Sequence, residues 1–102
     1  MVKLNALYGH PEDPEAFEEY YANTHLPLVE AIPNAGRLET ARVVATPDGS
    51  EPPYYRIAEL SFESMEQMQA SLSTPEGQRL VEDIFKLPTD EVTVFFSEVD
   101  ET

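Results

Sequence analysis

The sequence predicts an α+β fold with the element order β-α-β-β-α-β. This is the ferredoxin-like βαββαβ arrangement, a four-stranded antiparallel sheet with its helices on one face. Three observations predict it. Four short runs are rich in β-branched and aromatic residues, with alternation in polarity. Two longer stretches space apolar residues at the helical period behind good start signals. Clusters of Pro, Gly, Asn and Asp separate the runs.

The first strand is expected over Val2 to Tyr8, where Val2, Leu4, Ala6 and Tyr8 alternate with Lys3, Asn5 and Leu7. Gly9, His10 and Pro11 end it. The stretch Phe17 to Pro33 then reads as a helix with Phe17, Tyr20, Tyr21, Thr24 and Leu28 on its inner face. Asp13 before Pro14 starts it, because the carboxylate caps free N–H groups and proline fits the first helical position. Glu15, Glu18 and Glu19 sit near the positive end of the helix dipole. Pro27 has no N–H for the Asn23 carbonyl and disfavours helical geometry at Leu26, so a kink or break is expected there, beside His25.

Strands are next expected over Leu38 to Ala45 and Tyr54 to Phe62, joined as an antiparallel hairpin by the Pro- and Gly-containing loop Thr46 to Pro53. Ser64 with Gln67 reads as a capping box, followed by an inner face of Met65, Met68 and Leu72. Thr74-Pro75 is a fresh helix start, with Leu80, Val81, Ile84 and Phe85 as its stripe and Pro88 as its stop. Val92 to Val99 closes the sheet.

At 102 residues the chain is expected to form one domain spanning 1–102. It has no cysteine, so disulfide and thiolate chemistry are excluded. With 20 acidic and 6 basic residues its net charge is −14, which repels nucleic acid and anionic membrane surfaces. No run reaches the roughly 18 apolar residues of a membrane span, and the N-terminus lacks the apolar core of a secretory signal. A cytoplasmic protein in a solvated acidic shell is expected.

The last and third strands carry apolar residues on both sides: Val92, Val94 and Phe96 against Phe95 and Val99; Ala58, Leu60 and Phe62 against Tyr55 and Ile57. Helices can cover one side only. An open apolar face on the order of several hundred Å² is a liability on a monomer. The expectation is therefore a two-fold, sheet-to-sheet homodimer.

Phe17, Tyr20-Tyr21, His25, Pro27-Leu28 and Ile32-Pro33 resemble the F-x-x-Y-[YW]-x-x-x-H-x-P-L pattern of the EthD-like family, within the dimeric α+β barrel superfamily. Ala58 to Phe62 with the Glu63-Ser64 helix start is also similar to that family, although its pattern often has Asp in place of Glu63. The resemblance covers nearly the whole chain. It implies a homodimer and a likeness to small cofactor-free cyclases, dehydratases and lactone isomerases acting on polyketide-like or ring compounds.

His25 is the candidate catalytic residue, since imidazole exchanges protons near neutrality. On a helical wheel it lies roughly 80° from Phe17, at the edge of the inner stripe. It can equally fill space and bond a carbonyl freed by Pro27. Tyr8, Tyr21, Phe17 and Leu28 are the candidate substrate-binding residues, with Tyr21 one turn before His25 and Tyr8 across a cleft from it. Tyr8 and Asn5 point to opposite faces of their strand, so only one of them can line a given cavity. Glu59 is a candidate base if buried, while Arg42 and Arg56 could bind a carboxylate but are expected instead to pair with Glu39 and Glu59. His10 is expected to be exposed. Two histidines fifteen residues apart, without a third obvious ligand, make a weak metal case, and no phosphate loop, nucleophile elbow or dinucleotide fingerprint occurs.

The expected function is that of a small cofactor-independent isomerase, cyclase or dehydratase acting on a hydrophobic or aromatic carbonyl compound by His-assisted proton transfer. The alternative is a non-catalytic small-molecule-binding or accessory protein of a degradation or oxygenase pathway. A haem-handling role would leave His25 as the lone internal ligand.

Overall fold

Alternation in one central strand orients the whole sheet. In the computed structural model, which describes residues 1–100, β1 (Val2–Tyr8) is antiparallel to both of its neighbours, β3 (Arg56–Phe62) and β4 (Val92–Glu98). β2 (Leu38–Arg42) pairs with β3, giving the order β2-β3-β1-β4 of the ferredoxin-like fold. Val2, Leu4, Ala6 and Tyr8 face the helices and are buried. Their partners across β3 are Phe62, Leu60, Ala58 and Arg56. The hairpin strands are shorter than expected by three residues at the end of β2 and by two at the start of β3. Beyond the ladder, the Val43 N–H still donates to the Tyr55 carbonyl at 2.8 Å before the proline-rich loop takes over.

The expected start signals operate as hydrogen bonds. Asp13 Oδ1 accepts from the Ala16 N–H at 3.1 Å and begins α1 (Pro14–Tyr20). Ser64 Oγ accepts from the Gln67 N–H at 3.1 Å before α3 (Met65–Leu72), and Thr74 Oγ1 from the Gly77 N–H at 3.0 Å before α4 (Pro75–Ile84). Each cap satisfies one of the orphan donors of a helix start. Gly77 also lets α4 approach α3 closely, because a Cβ there would collide with the Ser71 carbonyl and the Leu72 backbone.

The expected disturbance beside His25 is present, and its form is a π turn. The helix does not break at Pro27 but widens over Tyr21–His25, then resumes as α2 (Leu26–Glu30). The Leu26 N–H bonds the Tyr21 carbonyl, five residues back. Leu26 itself keeps helical angles, φ −57° and ψ −40°. The wider turn carries the chain past the point where Pro27 has no N–H to give, so the irregularity is absorbed one turn upstream.

This turn also resets the inner face. In a regular α-helix residues four apart drift by about 40° per step, and a run of fours leaves the core. Here Phe17, Tyr21, His25 and Val29 are all buried, followed by Ile32, while Thr24 is exposed and Tyr20 and Leu28 are half-buried. In α4 the inner residues are Leu80 and Ile84 with Asp83, whereas Phe85, at the helix end, is 61% exposed and Leu87 fills the core instead.

The face away from the helices is more polar than expected. By register it holds the row Ala41, Ile57, Leu7 and Thr93, then Glu39, Glu59, Asn5 and Phe95, then Ser61, Lys3 and Ser97. The three apolar β4 residues Val92, Val94 and Phe96 all take the helix side, which leaves Phe95 as the large apolar residue of that strand's outer side. Asn5 is nevertheless buried there, its amide donating to Ser97 Oγ at 2.9 Å and to the Lys3 and Phe95 carbonyls at 3.2 Å. Among the described residues no helix is long and apolar enough to cross a membrane.

Candidate functional site

The π turn, β1 and α4 converge on one pocket. Its walls are Leu4, Ala6 and Tyr8 of β1, Ala58 and Leu60 of β3, Leu38 of β2, Tyr21, His25 and Val29 of the first helical stretch, and Leu80 and Ile84 of α4. It encloses about 320 Å³ counted out to its open mouth, yet its interior has room for roughly one water molecule. The walls are largely aliphatic, and the polar groups come from one histidine and two tyrosines.

His25 is 2% exposed. Its Nδ1 lies 2.9 Å from Asp83 Oδ2, and Tyr20 donates its hydroxyl to the other carboxylate oxygen, Oδ1, at 2.7 Å. A carboxylate only accepts, so Nδ1 carries the proton and Nε2 keeps its lone pair. Burial pulls the His25 pKa below the ordinary imidazole value, although the Asp83 hydrogen bond and charge pull the other way. The ring is thus held neutral and basic near neutrality. Asp83 raises the Tyr20 pKa through their hydrogen bond, keeping that phenol a donor.

Tyr8 is 0% exposed, and its hydroxyl has no hydrogen-bond partner among the described residues. A buried hydroxyl without a partner is unusual. Its ring stands edge-on to the rings of Phe17, Tyr21 and His25 at 5.6, 6.2 and 6.5 Å. Burial drives its pKa far above the ordinary phenol range, so the hydroxyl stays protonated and able to donate. The neighbouring Tyr21 ring lies 5.3 Å from His25, and its hydroxyl is 3.0 Å from Thr40 Oγ1. Burial raises the Tyr21 pKa despite the opposing Thr40 hydrogen bond and Arg56 charge.

Arg56 covers the outer side of Tyr21, with its guanidinium carbon 4.8 Å from the ring centre. Glu18 of α1 binds it through both carboxylate oxygens, and Thr40 Oγ1 accepts from Nη1 at 3.0 Å. The Tyr55 hydroxyl donates to Glu18 at 3.1 Å.

Of the residues singled out in the sequence, the fold brings Tyr8, Tyr21 and His25 together. Phe17 packs behind them, stacked on Tyr21 at 6.1 Å, and is not part of the wall. Leu28 stands off the wall, and Val29 is there instead because the π turn shifts the phase. Asn5 faces the other side of the sheet. Glu59 is not a buried base: it lies half-exposed on the open face, 3.7 Å from Lys3. The expected arginine pairings also change, Arg56 going to Glu18 and Glu39 to Arg37 at 3.2 Å. His10 is exposed, with Nε2 2.7 Å from the Pro52 carbonyl. Among the described residues no group of three or more His, Asp or Glu is arranged to hold a metal ion.

Asp83 is the residue that sequence reasoning missed. A signal was present. It lies three after Leu80 and next to Ile84, on the inner side of α4, in the last turn, where the helix dipole disfavours a negative charge. An acidic residue in so poor a place for stability points to a local partner.

The fold and this pocket define a small ferredoxin-like α+β protein with a histidine–carboxylate pair enclosed between sheet and helices. The comparisons agree on its family. The EthD domain matches residues 9–87. An uncharacterized 11.0 kDa protein from the thcB-thcC intergenic region of Rhodococcus erythropolis is 35% identical over 98 residues, covering 96% of this chain and 94% of its own. The crystal structure of an EthD family protein from Bacillus halodurans superposes with a TM-score of 0.91 at 37% identity, covering 98% of this chain and 99% of that one. The chain belongs to the EthD family. More distant structures share the fold alone, among them the hydroxynitrile lyase of Passiflora edulis, with a TM-score of 0.73 at 11% identity and coverage of 99% and 95%.

Proposed function

We propose that this protein is a small enzyme of the isomerase, cyclase or dehydratase kind that moves a proton on a carbon next to a carbonyl group. The observation that carries this reading is the pairing of a buried phenol, Tyr8, which has no hydrogen-bond partner among the described residues, with an imidazole held by Asp83 on the wall of one apolar pocket. His25 Nε2 takes the proton from the carbon. The C–H electron pair moves into the new carbon–carbon double bond, and the carbonyl π pair moves onto oxygen. The Tyr8 hydroxyl donates to that oxygen as its charge grows, where a preorganised donor is worth most. Asp83 faces the imidazolium so formed and stabilises it. The same proton, returned to another carbon or to a leaving hydroxyl, completes an isomerisation or a dehydration. Tyr21 lies against the bound ring or chain.

The reading is tested by following hydrogen–deuterium exchange next to the carbonyl of a panel of uncharged ketones by NMR. Saturable, protein-dependent exchange is expected. Ligands that bind tightly and never exchange would leave a binding protein in its place.

We further infer that the open sheet face is covered by a second copy. Leu7, Ile57, Ala41 and Phe95 form an apolar patch there. Two structures sharing the fold, from Thermobifida fusca and Bacteroides fragilis, are described as dimeric. Light scattering at micromolar concentration should give about twice the 11.5 kDa chain mass, and Phe95→Asp, which places a charge in the patch, should shift it to one. A wild-type mass of a single chain removes the inference.

A further inference from the structure

We propose that the pocket selects uncharged ligands and that Glu18 is the specificity-determining residue, acting through Arg56. This deepens the function proposed above and rests on the pocket being a ligand site. Arg56 is the register partner of Tyr8, on the helix-facing side of the sheet. No lysine or arginine is among the wall residues, and Arg56 is the cation packed on one of them, Tyr21. It is the group an anionic ligand would use.

Three of its five donors are already committed. Nε and Nη2 go to the two oxygens of Glu18, and Nη1 goes to Thr40 Oγ1. The Arg56 side chain is 12% exposed and that of Glu18 34%, so the pair is shielded from solvent on its arginine side. Tyr55 holds the Glu18 carboxylate from a third side. The remaining charge at the pocket is negative, the Asp83 carboxylate behind His25. A carboxylate entering this site would lose its hydration, meet no free cation and face Asp83. A ketone loses far less hydration and gains the unpartnered Tyr8 hydroxyl. The chain spends its nearest arginine on an internal partner, which closes the site to acids.

The test compares acetophenone with benzoate, two probes of nearly the same shape, by NMR titration of the full chain. Wild type should prefer acetophenone by ~100-fold or more, the scale of an unpaired buried carboxylate. Glu18→Gln frees the guanidinium, and benzoate affinity should rise by ~10-fold or more while acetophenone stays within about threefold, as expected when one charge of a pair is removed. The double variant with Arg56→Gln carries neither charge, and its preference for the ketone should return. That return separates the charge effect from a general loosening of the pocket. Equal binding of both probes to wild type, no gain for benzoate in Glu18→Gln, or a gain that persists in the double variant overturns the selectivity mechanism and leaves the catalytic reading standing. Failure of acetophenone and benzoate alike to perturb the pocket residues in every form overturns the ligand site itself.

Discussion

Replacing Asp83 with asparagine is expected to cripple proton transfer while the fold survives, and replacing His25 with alanine to remove it. General acid–base catalysis contributes on the order of 10²–10⁴ in rate, so His25→Ala should lose that much of any ketone exchange. Asp83→Asn keeps the imidazole but lets the amide donate to Nδ1, which turns the tautomer and hides the lone pair from the pocket. A loss of at least ~10-fold is expected from it, on the scale seen when an orienting partner of a histidine is removed. The pH profile tells orientation from mere packing. In wild type the acid limb should fall below the ordinary imidazole value of about 6.5, because burial depresses the His25 pKa more than Asp83 raises it. In Asp83→Asn the opposing influence of the carboxylate is gone, and the limb that remains should move further down. A profile that does not move, or full activity in His25→Ala, would sink the assignment.

The same shift makes a stability prediction of definite sign. The folded-state pKa of His25 lies below its unfolded value, so between the two the unfolded chain binds more protons. The contribution is fully present above about pH 6.5 and is lost as the pH falls towards the folded-state value. In His25→Ala this part of the acid sensitivity of unfolding should vanish.

Tyr8→Phe is expected to stabilise the empty protein and damage the site. The Tyr8 hydroxyl is buried without a partner among the described residues. Leaving such a group unsatisfied costs about 1–3 kcal/mol, and phenylalanine keeps the ring contacts with Phe17 and Tyr21. For a domain of this size each kcal/mol moves Tm by roughly 4–8 °C, so a rise of at least that much is expected in thermal unfolding. Ketone binding should weaken by about tenfold, the equivalent of one hydrogen bond of ~1.4 kcal/mol. Opposite movements of stability and binding are the signature of a group kept for function. A variant that melts lower than wild type and binds acetophenone as well would show that the hydroxyl serves the fold and no ligand.

Much of the architecture was legible because its causes are local. Alternation in Val2 to Tyr8 and the caps at Asp13, Ser64 and Thr74 depend on neighbours within a few positions, and each appears where expected. The disturbance before Pro27 is also local in origin, since the missing N–H predicts irregular backbone there but not its form. A helix can break, or it can widen and continue, and packing of Phe17, Tyr21, His25 and Val29 against the sheet favours the second. The open face is less apolar than expected because strand pattern alone does not say which side the helices take. Val92, Val94 and Phe96 lie together on the helix side, with Phe96 still 49% exposed, and Lys3, Asn5 and Glu59 lie on the other.

The sequence by itself determined the element order, the ferredoxin-like sheet, the EthD motif and the candidacy of His25, Tyr8 and Tyr21, because period and spacing along one strand or helix suffice for these. Only the tertiary structure decided what those residues do to one another. Asp83 lies 58 positions from His25 and Glu18 38 from Arg56, and contacts between side chains so far apart are set by how helices dock on a sheet. No local pattern encodes that docking, yet it determines which histidine nitrogen carries the proton, which phenol lacks a partner among the described residues and which arginine pairs with Glu18.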